Sequence, residues 1–321
     1  MGDDVTVGEI RAPRDRAFAL RDPLPWEAFA GLVRGGEELG YAGVLLPEIA
    51  GRDALAALAG LAGETRELLL GTGVLPMRSR TPLLTAMSAA TVHERSGGRL
   101  VLGLGTGSVG RGALHELRRT VVDVRSLLRG ERVERDGRGS SLALPPGSEV
   151  PIWISAMGPR AFRLAGEVAD GALLNWCTPE RVAFAKDRVR EGAEAVGRDP
   201  SAVSVAVYVR SWVGEDAEAA LAALKAAAGE YAGYPAYARQ FEQLGMGAEA
   251  AAAAAAVRAG RPEEAPEALV HASTAFGDRA LERLAAYREA GADLVVVYPV
   301  AVGDPGPSIS VTLRALAPGR A

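Results

Sequence analysis

Four stretches of this chain carry residues that could do chemistry. Arg99-Leu-Val-Leu-Gly-Leu-Gly-Thr-Gly-Ser108 runs an apolar strand straight into glycines. Gly105, Thr106 and Gly107 would let the backbone approach a flat ring closely, although a tight turn with no ligand has the same composition. Gly105-x-Gly107-x-x-Gly110 formally matches the dinucleotide fingerprint, but its context does not. That fingerprint calls for a helix, a second strand and an acid roughly 20 positions on. Here Asp123 falls within a helical pattern, and no strand follows before Arg132.

The second stretch is Pro151-Ile-Trp-Ile-Ser155-Ala156-Met157-Gly158-Pro159-Arg160. A buried strand ends at Ser155, and Gly158-Pro159 opens a helix whose free N–H groups and positive dipole end suit a phosphate. Arg160 would add a charge-assisted contact, or simply be solvated. In the third stretch, Asn175-Trp176-Cys177-Thr178-Pro179, Thr178 is a candidate N-cap, so a second helix N-terminus is expected beside the same phosphate. Asn175 could hydrogen-bond a ring and Trp176 could cover it; a core tryptophan is the competing reading. The fourth candidate is Glu48, which follows the apolar run Val44-Leu45-Leu46 and Pro47. At the mouth of a barrel a partly desolvated carboxylate could exchange a proton. Alternatively, it pairs with Arg52 or another arginine and holds the loop. Asp53 suits a helix cap better than chemistry.

Single Cys177 excludes an intrachain disulfide, and three scattered histidines (His93, His115, His271) offer no metal set. No His or Lys adjoins Cys177 to activate it. Redox chemistry would therefore need a bound organic cofactor. A net charge of −4 gives no reason to expect nucleic-acid binding. No apolar stretch reaches the 18 or so residues of a membrane span, and MGDDVTV lacks the basic and apolar regions of a secretory signal, so the expected location is the cytoplasm.

The elements that must position these residues alternate short β-rich runs with longer helical patterns. Strands are expected at Val5–Ile10, Gly43–Leu46, Leu68–Val74, Leu100–Leu104, Ile152–Ser155, Gly171–Asn175, Val203–Val213 and Leu294–Tyr298. Eight strands with helices between them predict an α/β fold, a (β/α)8 TIM barrel, as one domain over residues 1–321. Insertions are expected after strands 4 and 7: a hairpin around Asp136-Gly137, and several helices between Asp216 and Gly291. The Ala250–Ala256 run is a good helix former without chemistry. Barrel chemistry sits at the C-terminal strand ends, where all four stretches fall.

Ser96 to Gly107 and Ile152 to Trp176 resemble the luciferase-like monooxygenase family, and the second stretch resembles its F420-dependent branch, which includes the methylenetetrahydromethanopterin reductases. Pro47-Glu48, Arg52-Asp53, Gly71 to Pro76, Phe276-Gly277-Asp278 and the run from Leu281 to Pro299 extend the likeness over nearly the whole chain. The resemblance implies a non-prolyl cis peptide at Gly73–Val74 beneath the central ring, a phosphate grip on Ser155 to Arg160 and Thr178, and a ring flanked by Gly105 to Ser108. It also implies an acid at Glu48 facing the reacting carbon, and a homodimer. The sugar-phosphate dehydrogenases of this branch carry a His and a Glu where this chain has Ile49 and Ser108, which argues against that chemistry. The expected activity is hydride transfer between coenzyme F420 and a small organic substrate. The alternatives are an FMN-dependent monooxygenase and a non-catalytic cofactor-binding homologue. Arg78, Arg80 and Arg160 are candidates to receive an anionic cofactor tail.

Overall fold

The computed structural model describes residues 16–21, 24–107, 110 and 112–319. Eight parallel strands form its centre: β1 (Arg16–Ala19), β2 (Gly43–Leu46), β3 (Leu69–Thr72), β4 (Leu100–Gly105), β5 (Ile152–Ser155), β6 (Gly171–Asn175), β7 (Ser204–Trp212) and β8 (Leu294–Pro299). Each pairs with the next, and β8 pairs with β1, so the ring closes. The expected strand at Val5–Ile10 lies outside the described residues. The ring instead opens at Arg16–Ala19, whose Ala17 and Ala19 carry too little hydrophobic alternation to stand out among the charges around them.

Helices follow the strands: α1 (Trp26–Glu38), α2 (Ala54–Leu61), α3 (Pro82–Arg95), α4 (Ala113–Leu128), α5 (Pro159–Val168) and α6 (Pro179–Ala195). The connection after β4 adds a hairpin, Val133–Arg135 against Arg138–Ser140, turning through Asp136 and Gly137 at positive φ. The connection after β7 holds α7 (Ala217–Ala232), α8 (Pro235–Gln243), α9 (Gly247–Arg258), α10 (Ala268–Ser273) and α11 (Ala280–Glu289); α12 (Pro305–Ala315) follows β8. The alanines of α9 pack against Ala228, Phe241 and Trp176 in a separate apolar cluster. Two short strands extend the sheet: Leu75–Pro76 on β4 and Thr274–Phe276 on β7. None of the described helices is long and apolar enough to cross a membrane.

Alternation along the strands separates two cores. On β7, Val205, Val207 and Val209 join the helices in the outer core, while Ala206 and Tyr208 belong to a cluster built of strand and strand-end residues, including Ala17, Ala19, Leu45, Val101, Trp153, Leu173 and Val296. That cluster fills the barrel. Glycine is needed where neighbouring strands come close: a Cβ at Gly103 on β4 would stand 2.0 Å from the Thr72 carbonyl oxygen on β3.

Candidate functional site at the barrel mouth

The C-terminal ends of β2 to β6 bring most of the candidate residues into one arc. The Gly73–Val74 peptide is cis, as the resemblance implied. The Tyr208 hydroxyl, from β7, donates to the Gly73 carbonyl at 2.9 Å. Since β7 and β3 are four strands apart in either direction round the ring, this phenol crosses the barrel. A Cβ at Gly73 would lie 1.8 Å from the Tyr208 oxygen, so glycine is required by packing. Burial pushes the Tyr208 phenol far above its usual range, and it stays a donor.

Beside Gly73, a Cβ at Gly105 would meet Val74 Cγ2 at 2.5 Å and Ser155 Oγ at 2.8 Å. Val74 and Ser155 thus both close on Gly105, and the three form a low platform. The Met77 N–H donates to the Gly105 carbonyl at 2.9 Å. Thr106 is half-buried, and Gly107, at φ 64°, sits against Pro76. A cleft of about 470 Å3, lined by Met77, Arg78, Gly110, Gly112, Ala113, His115 and Glu116, adjoins this turn. Ser108 lies outside the described residues.

Past Ser155, Ala156 is buried and its N–H donates to the Leu173 carbonyl. Gly158 is the N-cap of α5 without any side-chain cap; its carbonyl accepts from Ala161 and Phe162, and Pro159 occupies the first turn. Arg160 is exposed. The helix start expected to take a phosphate is therefore in place and unblocked. The second start carries the cap expected at Thr178. The Thr178 hydroxyl accepts from the Arg181 N–H at 3.4 Å, and the same side chain hydrogen-bonds Glu180, whose carboxyl is held below its usual range first by that contact. α6 thus carries its own cap and an acid in its first turn.

Trp176 is the core residue that the competing reading described. It is fully buried at φ 50°, packs on Tyr231 at 5.5 Å, and lies in the α7–α9 cluster. Asn175, half-buried, gives its Nδ2 to the Tyr237 hydroxyl at 2.7 Å and accepts from Arg210 at Oδ1. Glu48 makes the arginine pair that its alternative reading described. Its Oε1 and Oε2 accept from Arg80 at 3.3 Å each, and Oε2 accepts from the Ala54 N–H at 3.0 Å. The arginine is Arg80 rather than Arg52, which instead donates to the Leu24 carbonyl and lies over Phe29. Arg80 also binds Asp53, whose carboxylate caps α2 as expected. Arg80 is thereby removed from the set of rim cations. Glu48 still reaches the platform through its backbone N–H, which donates to the Val74 carbonyl at 3.3 Å.

Sequence reasoning passed over Tyr208, Arg210, Tyr298 and Arg181. A period-2 reading of β7 puts Ala206, Tyr208 and Arg210 on one face, so that signal was present. No group of three or more potential metal ligands occurs among the described residues. Burial pushes the Cys177 thiol up to about 12, too high for a nucleophile.

A family model described as luciferase-like monooxygenase matches residues 10–294. The chain belongs to this family. Among its relatives, a 5,10-methylenetetrahydromethanopterin reductase of Methanolobus tindarius is 36% identical over 186 residues, 54% of this luciferase-like chain and 57% of the relative. An F420-dependent glucose-6-phosphate dehydrogenase of Mycolicibacterium fortuitum is 32% identical over 192 residues, 52% of the chain and 56% of the relative. The matches thus span little more than half the length of these relatives. The solved coenzyme F420-dependent tetrahydromethanopterin reductase of Methanopyrus kandleri superposes with a TM-score of 0.77 at 21% identity, covering 94% of this chain and 97% of that one. At that identity the likeness bears on the fold.

Proposed function

We propose that this chain is an F420-dependent oxidoreductase that moves a hydride between the deazaflavin and a small organic substrate in the barrel mouth. The observation that carries the reading is the uncapped start of α5 at Gly158, one residue pair beyond Ser155 of the side-chain-poor platform. A phosphate-bearing flat cofactor needs both features side by side. A Cβ at Gly158 meets nothing within 4 Å, so the space over that helix start is open.

In this reading Gly158 to Arg160 hold the cofactor phosphate, with Met157 and Ala156 shaping the loop beneath it. Val74, Gly105, Thr106 and Gly107 lie against the ring, and Gly73 sets the platform height through Tyr208. When bound, the deazaflavin supplies the two-electron hydride chemistry, and the protein orients it and keeps water away. Glu48 holds the β2 loop and the start of α2. The names of the relatives favour F420, while the family name keeps FMN as the alternative. The expected homodimer and cytoplasmic setting belong to the same proposal.

Titrating the purified protein with F420 and with FMN, each followed by fluorescence, tests the cofactor. Tighter F420 binding with anaerobic F420 turnover on a substrate panel supports the reading. Tighter FMN binding with oxygen-dependent product formation replaces it with a monooxygenase, and binding of either without turnover favours the non-catalytic homologue.

A further inference from the structure

Arg210 is the inward-facing residue of β7 two positions beyond Tyr208, one layer nearer the mouth. Its residue is only 5% exposed. Arg181, the other deeply buried arginine, is held by the Met157 carbonyl and Gln243, while the half-buried Arg80 meets the acids Glu48 and Asp53, and the half-buried Arg135 meets Asp123 and Glu116. Arg210 meets none among the described residues. Its guanidinium lies over the rings of Tyr298 at 4.3 Å, Trp176 at 4.8 Å and Tyr231 at 5.0 Å, and donates to Asn175 Oδ1. Ring faces and a neutral amide orient a cation without cancelling its charge. A desolvated charge without a counter-ion is costly, and this one stands at the end of the barrel where ligands bind.

The wall opposite it is the platform, because β7 and β3 are diametrically placed. A ring seated on Val74 and Gly105 would leave the β7 side of the mouth for the substrate. Tyr298, the register partner of Arg210 on β8, and Asn175, at the end of β6 opposite Tyr208, are half-buried, so this corner opens toward the mouth. The Asn175 amide is fixed by its bond to Tyr237, with its oxygen turned to Arg210.

We propose that Arg210 is the substrate's anion-binding residue, and that the substrate is a small organic molecule bearing a carboxylate. One guanidinium flanked by phenols and an amide matches a monoanion, and its planar fork suits a carboxylate. This inference rests on the cofactor reading only in assigning the β7 side to the substrate.

The test is calorimetric titration of the full chain with acetate, pyruvate and benzoate, each beside its neutral amide, with and without saturating F420. At least one carboxylate is expected to bind roughly tenfold or more tighter than its amide, and Arg210→Met should lose roughly tenfold to a hundredfold of that affinity. F420 affinity of Arg210→Met should stay within about twofold of wild type. Asn175→Asp gives an independent arm, since it sets a permanent carboxylate against Arg210. It should raise the melting temperature while abolishing carboxylate binding. Equal binding of acids and amides, unchanged binding in Arg210→Met, or retained binding in a folded Asn175→Asp overturns the proposal. A fall in F420 affinity in Arg210→Met in place of a carboxylate effect makes Arg210 a cofactor contact and also overturns it. Failure of wild type to bind F420 sinks the cofactor reading alone, because the carboxylate arm without cofactor is scored separately.

Discussion

Gly158 has φ −135° and ψ 168°, extended backbone that any residue adopts, and open space where a Cβ would be. Valine there should leave the fold intact and place two methyl groups over the α5 start. Gly158→Val is expected to melt within a few degrees of wild type while binding F420 at least about tenfold more weakly, the cost of losing a charge-assisted contact. Unchanged affinity in the folded variant would mean that the phosphate sits elsewhere. Glu48 gives the converse case. Its carboxylate and Arg80 are 15% and 11% exposed, and it also accepts from the α2 start. Glu48→Gln should cost about 1–3 kcal/mol of stability, read as a drop in melting temperature, with kcat reduced less than about tenfold. A variant of native stability with kcat down a hundredfold would restore the acid–base role to Glu48.

Strands with a strong apolar signature were legible as elements: Gly43–Leu46, Ile152–Ser155 and Gly171–Asn175 have the ends their sequences imply. So was the Asp136-Gly137 hairpin, because turn chemistry is local. What the sequence concealed depends on partners distant in the chain. Thr178 was legible as the cap of α6, a local feature, whereas nothing near Trp176 shows α7 to α9 closing over it. Arg181 is the clearest instance. Buried, with its charge disfavoured by desolvation, it lies over Phe162 and Phe184, and its Nη2 donates to the Met157 carbonyl at 3.1 Å and to Gln243 at 2.5 Å. One side chain thus ties α5, α6 and α8 to the loop before Gly158. Arg181→Met keeps the bulk and removes the tether. It should weaken F420 binding about tenfold and raise amide exchange at Met157 and Gly158, whereas Gln243→Ala, which leaves the Met157 bond, should do less. Equal effects from the two variants would argue that α8 docking, not the loop tether, is what Arg181 supplies.

Across the whole molecule, the candidate site residues collect at one end of the barrel and acid-sensitive packing at the other. His93, near the end of α3 and ahead of β4, is buried, with Nε2 2.9 Å from Ser148 Oγ and Nδ1 without a partner among the described residues. Burial lowers its pKa, so the folded protein holds this proton less tightly than the unfolded chain. Stability from His93 is therefore fully present above the ordinary histidine value of about 6.5, and falls at up to about 1.4 kcal/mol per pH unit below it until the folded value is reached. Glu37, at the end of α1, accepts the N–H groups of Arg66, Glu67 and Leu68 where the chain enters β3. Desolvation alone would raise its pKa, but those three donors and the charge of Arg99 bring it below the usual carboxylate value. Its contribution is present above about pH 4.5 and is lost as pH falls through the lowered folded value. The melting temperature should accordingly decline in two stages on acidification, the first starting near pH 6.5 and the second below about 4.5. His93→Gln, neutral at every pH, should flatten the first stage and leave the second, while binding at the mouth above pH 7 stays as in wild type. A wild-type melting temperature that is level from pH 7 to 5, or a first stage that survives in His93→Gln, would remove His93 as its cause.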